Sequence, residues 1–362
     1  MKMSRFENSH PHALVRLAQK YKLNCDVKEC ETVDAFYDHG ALERATAAAT
    51  AISQHLPDLV HHFHSAEEAQ TKFRLSKDCV GAITYRPAGQ LWPYKLVTQL
   101  VEGLLSQGLN LQTETPVTEI VKEGSKWKVE TPRGSILTDK VVHATNGYIQ
   151  YLLPRFATII TPNRGHMTAQ IPPKSLSNPP LDRTYSFLYA GGKFDYFIQN
   201  PAYDGSKLML GGGYYEDPQV RTFNDAETSN AVGKYLHDQL PKVFKWEGEE
   251  NPENRMHMRW SGIMGFSEDG FPWVGEIPEH LGGGDGQFIC GGYTGEGITS
   301  LAAKLTLGMA NALLCAEAVS MLVLGKELPS YFPRSYLLTD ERFQTAIDDA
   351  AERGEAVKRV KL

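Results

Sequence analysis

Cysteine is scarce in this sequence of 362 residues, which contains only five. They are odd in number and scattered, without Cys-x-x-Cys or Cys/His spacing: Cys25, Cys30, Cys79, Cys290 and Cys315. This distribution indicates neither a disulfide framework nor a zinc site, so we expect no metal in the functional site. It also favours a reducing compartment.

The sequence also lacks an excess of positive charge. It has 37 Lys and Arg residues against 43 Asp and Glu residues, which gives a formal net charge of −6. Nucleic acid is not an expected partner, because its phosphate backbone must be neutralised by cations. Hydrophobic residues at 41% and charged residues at 22% are typical of a folded globular protein, and the length predicts two domains or one large one.

Long apolar runs are nearly absent. Residues 305–324 are numerous enough to span a bilayer, but they include Asn311 and Glu317 and have no basic flank asymmetry. We therefore predict a buried core helix and no membrane span. The N-terminus lacks the apolar core of a signal peptide, so secretion is not indicated.

The dinucleotide fingerprint Gly-x-Gly-x-x-Gly is absent as well. The nearest glycine runs, at residues 282–286 and 295–300, do not open a βαβ unit. This absence argues against a self-contained nicotinamide enzyme.

Helices are predicted where apolar residues recur at helical spacing. One follows Ser9, and a second covers residues 40–55 with Asp38 as its cap. A third begins with Pro93 and stops at Gly108. A shorter one is expected near residues 229–240.

Histidines at positions 61, 62 and 64 form a cluster that resembles a metal site. They lack a partnering carboxylate or cysteine at ligand spacing. We therefore interpret His61, His62 and His64 as part of a solvated loop.

Extended segments bounded by Pro and Gly turns follow the third helix. We predict four short strands there, at residues 109–114, 117–122, 126–131 and 135–137. A separate β-rich layer covers residues 162–213, with strands near 165–171, 194–200 and 207–211. The charged end of the chain, residues 351–362, is predicted to be frayed.

Two further strands run into turns of small residues. Residues 140–143 precede Ala144 to Gly147, as at the carboxyl end of a buried parallel strand, where ligands bind. Residues 287–290 precede a glycine-rich turn at 291–297 and the long helix. Such a turn suits an anionic ligand, either a phosphate or the pyrimidine edge of a reduced flavin. The alternative is that these glycines only allow the strand to pack tightly on the helix.

Four segments carry a family resemblance: DKVVHATNGY, TPNRGHM, RWSGIMGFSEDGFPWVG and FICGGYTGEGITSLAAKL. They resemble the later landmarks of FAD-dependent oxidoreductases of the D-amino-acid oxidase type, which include glycine oxidase and sarcosine oxidase. The resemblance spans nearly the whole chain. It is most specific in Trp260-x-Gly262, in Asp269-Gly270-x-Pro272-x-x-Gly275 and in the turn at 291–297.

The resemblance implies an α/β (α+β) fold with a glutathione-reductase-like FAD domain and a β-rich substrate domain. We assign residues 1–37, 86–155 and 255–325 to a discontinuous FAD-binding domain, residues 38–85 and 156–254 to the substrate domain, and residues 326–362 to a C-terminal tail. Family members begin with a βαβ unit that carries the fingerprint. We therefore expect a partial FAD domain, from a truncated protein or gene model.

FAD is the implied cofactor. Sarcosine-oxidase-like enzymes attach flavin through a cysteine near residues 262–275, which contain none here, so non-covalent binding is expected. The resemblance places Val117 at the adenosine end of FAD. Further cofactor contacts are implied for Ala144, Thr145, Asn146, Gly147, Gly262, Gly292, Tyr293, Gly295, Glu296, Gly297 and Ile298.

The implied catalytic and substrate-side residues are Arg164, His166, Tyr196, Trp260 and Met264. For Arg164 and His166 an ordinary ion pair or hydrogen bond is the alternative, and Trp260 could be a core aromatic. In the glycine-oxidase branch an arginine that binds a carboxylate stands where this chain has Met264. A neutral or bulkier amine is therefore expected in place of an α-amino acid.

These observations predict an FAD-dependent oxidase that acts on an amine-type C–N bond of a small molecule, with oxygen as acceptor. Two alternatives stay open: a non-catalytic, truncated remnant of the fold, and a flavoenzyme of the same fold that acts on another bond. The end Val360-Lys361-Leu362 differs from the peroxisomal Ser-Lys-Leu signal by its valine. A cytoplasmic location is therefore expected over a peroxisomal one.

Overall fold

A computed structural model describes residues 2–200, 205–218, 221–249, 251–294 and 309–352. Its strands are β1 (Lys28–Phe36), β2 (His61–His64), β3 (Gly81–Gln90), β4 (Glu119–Glu123), β5 (Lys126–Thr131), β6 (Gly134–Thr138), β7 (Val141–His143), β8 (Ile160–Gln170), β9 (Thr184–Leu188), β10 (Phe194–Gln199), β11 (Leu208–Gly211), β12 (Met256–Ser267), β13 (Trp273–Glu276) and β14 (Gln287–Gly291). Its helices are α1 (Lys2–Tyr21), α2 (His39–His55), α3 (Ala66–Lys72), α4 (Pro93–Leu105), α5 (Lys174–Ser177), α6 (Asn230–Val243), α7 (Met309–Val323) and α8 (Asp340–Glu352). The mixed α/β fold expected from the sequence is confirmed.

The largest sheet has eight strands in the order β12-β8-β11-β10-β9-β1-β3-β2. All its neighbours are antiparallel except β1 and β9. Successive side chains of a strand point to opposite faces, so each face collects every second residue. One face is covered by α3 and α6 over a core that includes Phe187, Phe197, Leu236 and Phe244. We call it the covered face.

A smaller sheet has the order β13-β14-β7, in which β14 and β7 run parallel. Every residue of β14 is buried, and α7 packs on the sheet together with α1. A third sheet, β4-β5-β6, is anchored by Trp127, which donates a hydrogen bond to the Asp285 carbonyl at 2.8 Å. The glycine turn that contains Gly284 gives the indole room, since a Cβ there would lie 3.2 Å from it.

Several predicted elements are confirmed within one to a few residues, because their sequence signals are local. Asp38 caps α2 by accepting the amide of Ala41, α4 begins at Pro93, and β5 has the predicted bounds. The first helix starts well before Ser9 and includes Pro11. The described part of the long apolar segment is α7, and no helix among the described residues is long and apolar enough to cross a membrane.

Two predictions about local structure were wrong. Residues 109–114 form no strand and pair with no strand of the described chain. The three histidines are not in a loop: they make the edge strand β2, which pairs with β3. His64 is hydrogen-bonded to Thr84 there at 3.1 Å.

The predicted C-terminal tail was also wrong for residues 326–352. Helix α8 buries Phe343, Ala346 and Ala350, and the first two pack in the core that contains Trp273. Its apolar residues recur at helical spacing, which gives it a packed face despite its many charges. The frayed end was predicted for residues 351–362, of which 353–362 lie outside the described residues.

The predicted domain boundaries cut across one sheet. Strands β1 and β12 fall in segments that the sequence assigns to the FAD-binding domain, and both belong to the eight-stranded sheet. β1 pairs with β3 and β9, and β12 pairs with β8. The cause is long-range strand pairing, which a reading of local turn signals does not reveal.

Asp34 of β1 is a buried carboxyl group whose cost to stability can be measured. It is 2% exposed, it accepts hydrogen bonds from Ser186 and Tyr85, and its Oδ1 has no partner among the described residues. Burial raises the pKa of Asp34 to about 7. Because the folded pKa exceeds the unfolded one, Asp34 costs stability progressively as the pH rises from about 4 to 7.

We therefore expect Asp34→Asn, which resembles the protonated acid, to gain stability relative to wild type as the pH rises. The difference in free energy of unfolding should grow by roughly 2–3 kcal/mol between pH 5 and pH 8. Urea unfolding at both pH values measures it. Asp58→Asn, at an exposed carboxylate, is the control; an equal Asp34→Asn difference at both pH values would contradict the argument.

Candidate functional site

Three of the five predicted substrate-side residues share one face of the large sheet. Trp260 of β12 is paired with Met167, Met167 with Gly211, and Gly211 with Tyr196 of β10. Paired residues of neighbouring strands lie on the same face. Met264 belongs to this face too, four residues after Trp260. The side chains of Trp260, Met167, Tyr196 and Met264 are partly exposed. We call this side of β12, β8, β11 and β10 the open face.

Glycines form much of the open face. Gly262 and Gly165 are paired directly across β12 and β8. A Cβ on Gly262 would meet nothing within 4 Å, whereas one on Gly165 would lie 2.5 Å from the Met264 methyl. A Cβ on Gly211 would lie 2.2 Å from the Tyr196 ring. The open face is thus a flat glycine surface, and Met264 and Tyr196 lie over two of its glycines.

Arg164 and His166 do not share the open face with Trp260, Met264 and Tyr196. Both are buried on the covered face, since they alternate with Gly165 and Met167. Arg164 donates to the Asn224 carbonyl at 2.8 Å, and His166 Nε2 accepts the Ser229 amide at 3.1 Å. Burial lowers the pKa of His166, which favours this accepting neutral form. These two residues hold the loop before α6.

The ends of β7, β12 and β14 meet at one place, which we call the strand-end junction. Asn146, just after β7, has a φ of 46° and its Oδ1 accepts the amides of Gly292 at 2.9 Å and Tyr293 at 3.3 Å. Ala144 and Thr145 are exposed beside it. The predicted residues after β7 therefore do lie at a strand-end crevice, the usual place for a ligand in a parallel sheet.

Close backbone approach defines the junction. A Cβ on Gly265 would lie 2.6 Å from Asn146 Oδ1, and one on Gly147 would lie 3.1 Å from the Met264 carbonyl oxygen. A Cβ on Gly291 would lie 3.2 Å from the Asn146 Cα. Only glycine lets these three segments touch without displacement.

Thr294, within the predicted turn at 291–297, belongs to the junction together with Ser267, which sequence reasoning did not select. The Thr294 amide donates to the Gly265 carbonyl at 2.7 Å, and its Oγ1 accepts the Ser267 amide at 3.0 Å. With Asn146, these bonds engage the amides of residues 292–294. Gly292 and Tyr293 therefore shape the turn, and their N–H groups already have protein acceptors. Gly295, Glu296, Gly297 and Ile298 lie outside the described residues.

His143 and Gln287 form another pair that the sequence did not reveal. They join β7 to β14 through a buried hydrogen bond of 2.7 Å between His143 Nε2 and Gln287 Oε1. Burial lowers the pKa of His143. The last predicted cofactor contact, Val117, is half-buried. It lies in the segment before β4, and neither β7 nor β14 adjoins that segment along the chain.

This chain is similar to known proteins over most of its length. The model of the family DAO, FAD dependent oxidoreductase, matches residues 2–306. The probable oxidoreductase OrdL of Rhizobium meliloti is 26% identical over 238 residues, which are 62% of this chain and 49% of that protein. Glycine oxidase of Geobacillus kaustophilus is 24% identical over 277 residues, 72% of this chain and 67% of that enzyme. The chain thus spans about half the length of the first of these relatives.

Solved structures show the same fold. The crystal structure of glycine oxidase from Geobacillus kaustophilus superposes with a TM-score of 0.72 at 20% identity, over 93% of this chain and 81% of that one. L-Proline dehydrogenase from P. horikoshii gives a TM-score of 0.66 at 19% identity, over 97% and 83%. Iminodiacetate oxidase from Chelativorans sp. BNC1 gives 0.68 at 14% identity, over 91% and 81%.

The chain therefore belongs to the FAD dependent oxidoreductase family of the D-amino-acid oxidase and glycine oxidase type, and its cofactor is FAD. The described residues fit the flavin end of that cofactor. The junction brings together the ends of two parallel strands, and the open face beside it offers free space over Gly262 for a planar group. The sequence holds no fingerprint turn for the pyrophosphate, so the fit concerns the flavin end alone.

Two glycines of β12 provide a matched test of the junction. Gly265→Ala should lower the free energy of unfolding by roughly 1–3 kcal/mol, because its Cβ would push against Asn146. Gly262→Ala should change it by less than about 0.5 kcal/mol, since nothing lies within 4 Å. Urea unfolding of both variants measures the difference. Equal stabilities would show that the strands do not approach as closely as described.

Proposed function

We propose that this protein oxidises the C–N bond of a small neutral amine or N-substituted substrate, with FAD as cofactor and oxygen as electron acceptor. The observation that carries the proposal is the apolar open face, where Trp260, Met264 and Met167 surround the glycine pair Gly165 and Gly262. No carboxylate-binding cation stands at position 264. The named structural relatives include enzymes of glycine, L-proline and iminodiacetate, whose names all specify nitrogen compounds.

The residues of the chain would act by binding and orientation. Trp260 and Tyr196 would flank an apolar substrate, and Met264 would limit the space above Gly165. With substrate bound, these side chains would exclude water from the reacting carbon. Bound FAD supplies the acceptor for the hydride of the C–H bond next to nitrogen. Ala144, Thr145 and Gly262, which are exposed beside the junction and on the open face, would contact it.

FAD would be held without a covalent bond to cysteine. Cys290 is 5% exposed, and its sulfur is 3.0 Å from the Tyr293 hydroxyl. Burial raises the pKa of the Cys290 thiol, which disfavours the nucleophilic thiolate. Flavin should therefore stay in solution when the FAD-loaded protein is precipitated with acid.

The proposal is tested by loading the purified full chain with FAD and following flavin absorbance without oxygen. We expect bleaching by secondary or N-methyl amines, and peroxide release when oxygen is admitted. Glycine, D-alanine and primary alcohols form the comparison panel. Bleaching by alcohols alone, or by none of the panel while FAD remains bound, would disprove an amine oxidase.

Substitution of Met264 tests the role of this side chain in specificity. Met264→Arg should raise kcat/KM for glycine at least tenfold relative to a neutral amine, because a guanidinium binds a carboxylate in two hydrogen bonds. Met258→Arg, at an exposed position of the same strand, is the control and should leave the ratio unchanged. If the two variants behave alike, Met264 does not contact the substrate.

A further inference from the structure

Helix α8 contacts the strand-end region through Arg342. Its guanidinium binds both Asp269 oxygens, with Nε to Oδ2 at 2.7 Å and NH2 to Oδ1 at 3.0 Å. It also donates to the carbonyls of Pro272 at 3.0 Å and Phe271 at 3.1 Å. The same guanidinium lies 3.6 Å from the centre of the Trp273 ring. All three nitrogens of the planar Arg342 guanidinium therefore donate hydrogen bonds.

Asp269 connects Arg342 to β12 through hydrogen bonds. Its Oδ1 also accepts the hydroxyl of Ser267 at 2.8 Å and the amide of Phe271 at 3.0 Å. The Ser267 hydroxyl in turn accepts the Trp273 indole N–H at 2.7 Å. The Ser267 hydroxyl is thus hydrogen-bonded to both Asp269 and Trp273, and Arg342 contacts both of these residues.

Ser267 is the link to the turn after β14. Its amide donates to Thr294 Oγ1 at 3.0 Å, and the Thr294 hydroxyl donates to the Gly292 carbonyl at 3.3 Å. Thr294 has a φ of 54°, a left-handed conformation that an L-residue keeps only when its surroundings impose it. A continuous hydrogen-bonded chain therefore runs from α8 to the turn at the strand-end junction.

We propose that Arg342 is a positioning residue for the flavin site, acting through Asp269, Ser267 and Thr294 on the turn at 292–294. Only the effect of Arg342 on catalysis rests on the proposed function; its effect on the turn and on FAD binding does not. Arg342 lies beyond residues 2–306, the segment that the family model matches, so a residue outside the matched segment sets the geometry of the cofactor turn. Thr294 connects directly to the glycine-rich residues that follow it.

The test is Arg342→Gln in the full chain, with hydrogen exchange measured before FAD is added. We expect the amides of Ser267 and Thr294 to exchange at least tenfold faster, and the dissociation constant for FAD to rise at least tenfold. The visible spectrum of bound FAD should shift. Arg342→Lys should behave like Arg342→Gln, because one ammonium cannot replace the fork; full rescue by Lys would contradict the proposal.

Phe343→Leu is the matched control on the same helix. Phe343 packs on Phe156 and on the ring of Trp273, so its truncation weakens α8 packing while every hydrogen bond of the chain keeps its donor and its acceptor. It should lower the unfolding free energy and leave the flavin spectrum unchanged. Equal effects of both variants on exchange and spectrum would reduce Arg342 to a packing role. If exchange and FAD binding respond as expected but no amine is oxidised, the proposed function fails and this inference stands.

Discussion

The antiparallel ladder between β8 and β12 is the constraint on which the candidate site depends. It runs from Met256 opposite Gln170 to Ser267 opposite Ile160. Because side chains alternate along both strands, the register decides which residues face the open side and which face α6. A shift by one residue would exchange Trp260 and Met264 for their neighbours. The chemistry of the open face is thus a consequence of strand pairing.

The same ladder brings β12 to the ends of β7 and β14. Contact there is between backbones, so the site requires glycine at Gly265, Gly147 and Gly291. Asn146 Oδ1 accepts hydrogen bonds from the Gly292 and Tyr293 amides of the turn, which would otherwise lack acceptors. Backbone proximity and hydrogen-bond satisfaction together make the junction rigid, which a site that orients a cofactor needs.

Polar groups connect distant parts of the chain to this junction. Arg342 of α8 and Asp269 after β12 are 73 residues apart, and their bidentate contact is mostly buried. Such pairs cost free energy to desolvate, so they persist where every donor and acceptor finds a partner. Arg342 meets this requirement through the carbonyls around Trp273. The C-terminal helix is therefore part of the site region.

The sequence by itself determined the elements whose signals are local: the Asp38 cap, the Pro93 start of α4, the turns around β5, and the glycine-rich landmarks of the family. It also singled out Trp260, Met264 and Tyr196, which the structure brings to one face of the large sheet, and their roles stay predictions. Residues 109–114 have a strand pattern but no pairing partner among the described residues, so pattern alone misled.

Tertiary structure alone decided the rest. Arg164 and His166 flank Gly165 in the same segment of the sequence. Strand pairing nevertheless places their side chains on the covered face and Gly165 on the open face. Glycines mark the turn that contains Thr294, but the hydrogen bonds of Thr294 to Ser267 and of Arg342 to Asp269 join residues far apart in the chain and have no local signal. Propensity and spacing act over a few residues, whereas the face of a strand, the register of a ladder and the partner of a buried charge are set only when the whole chain packs.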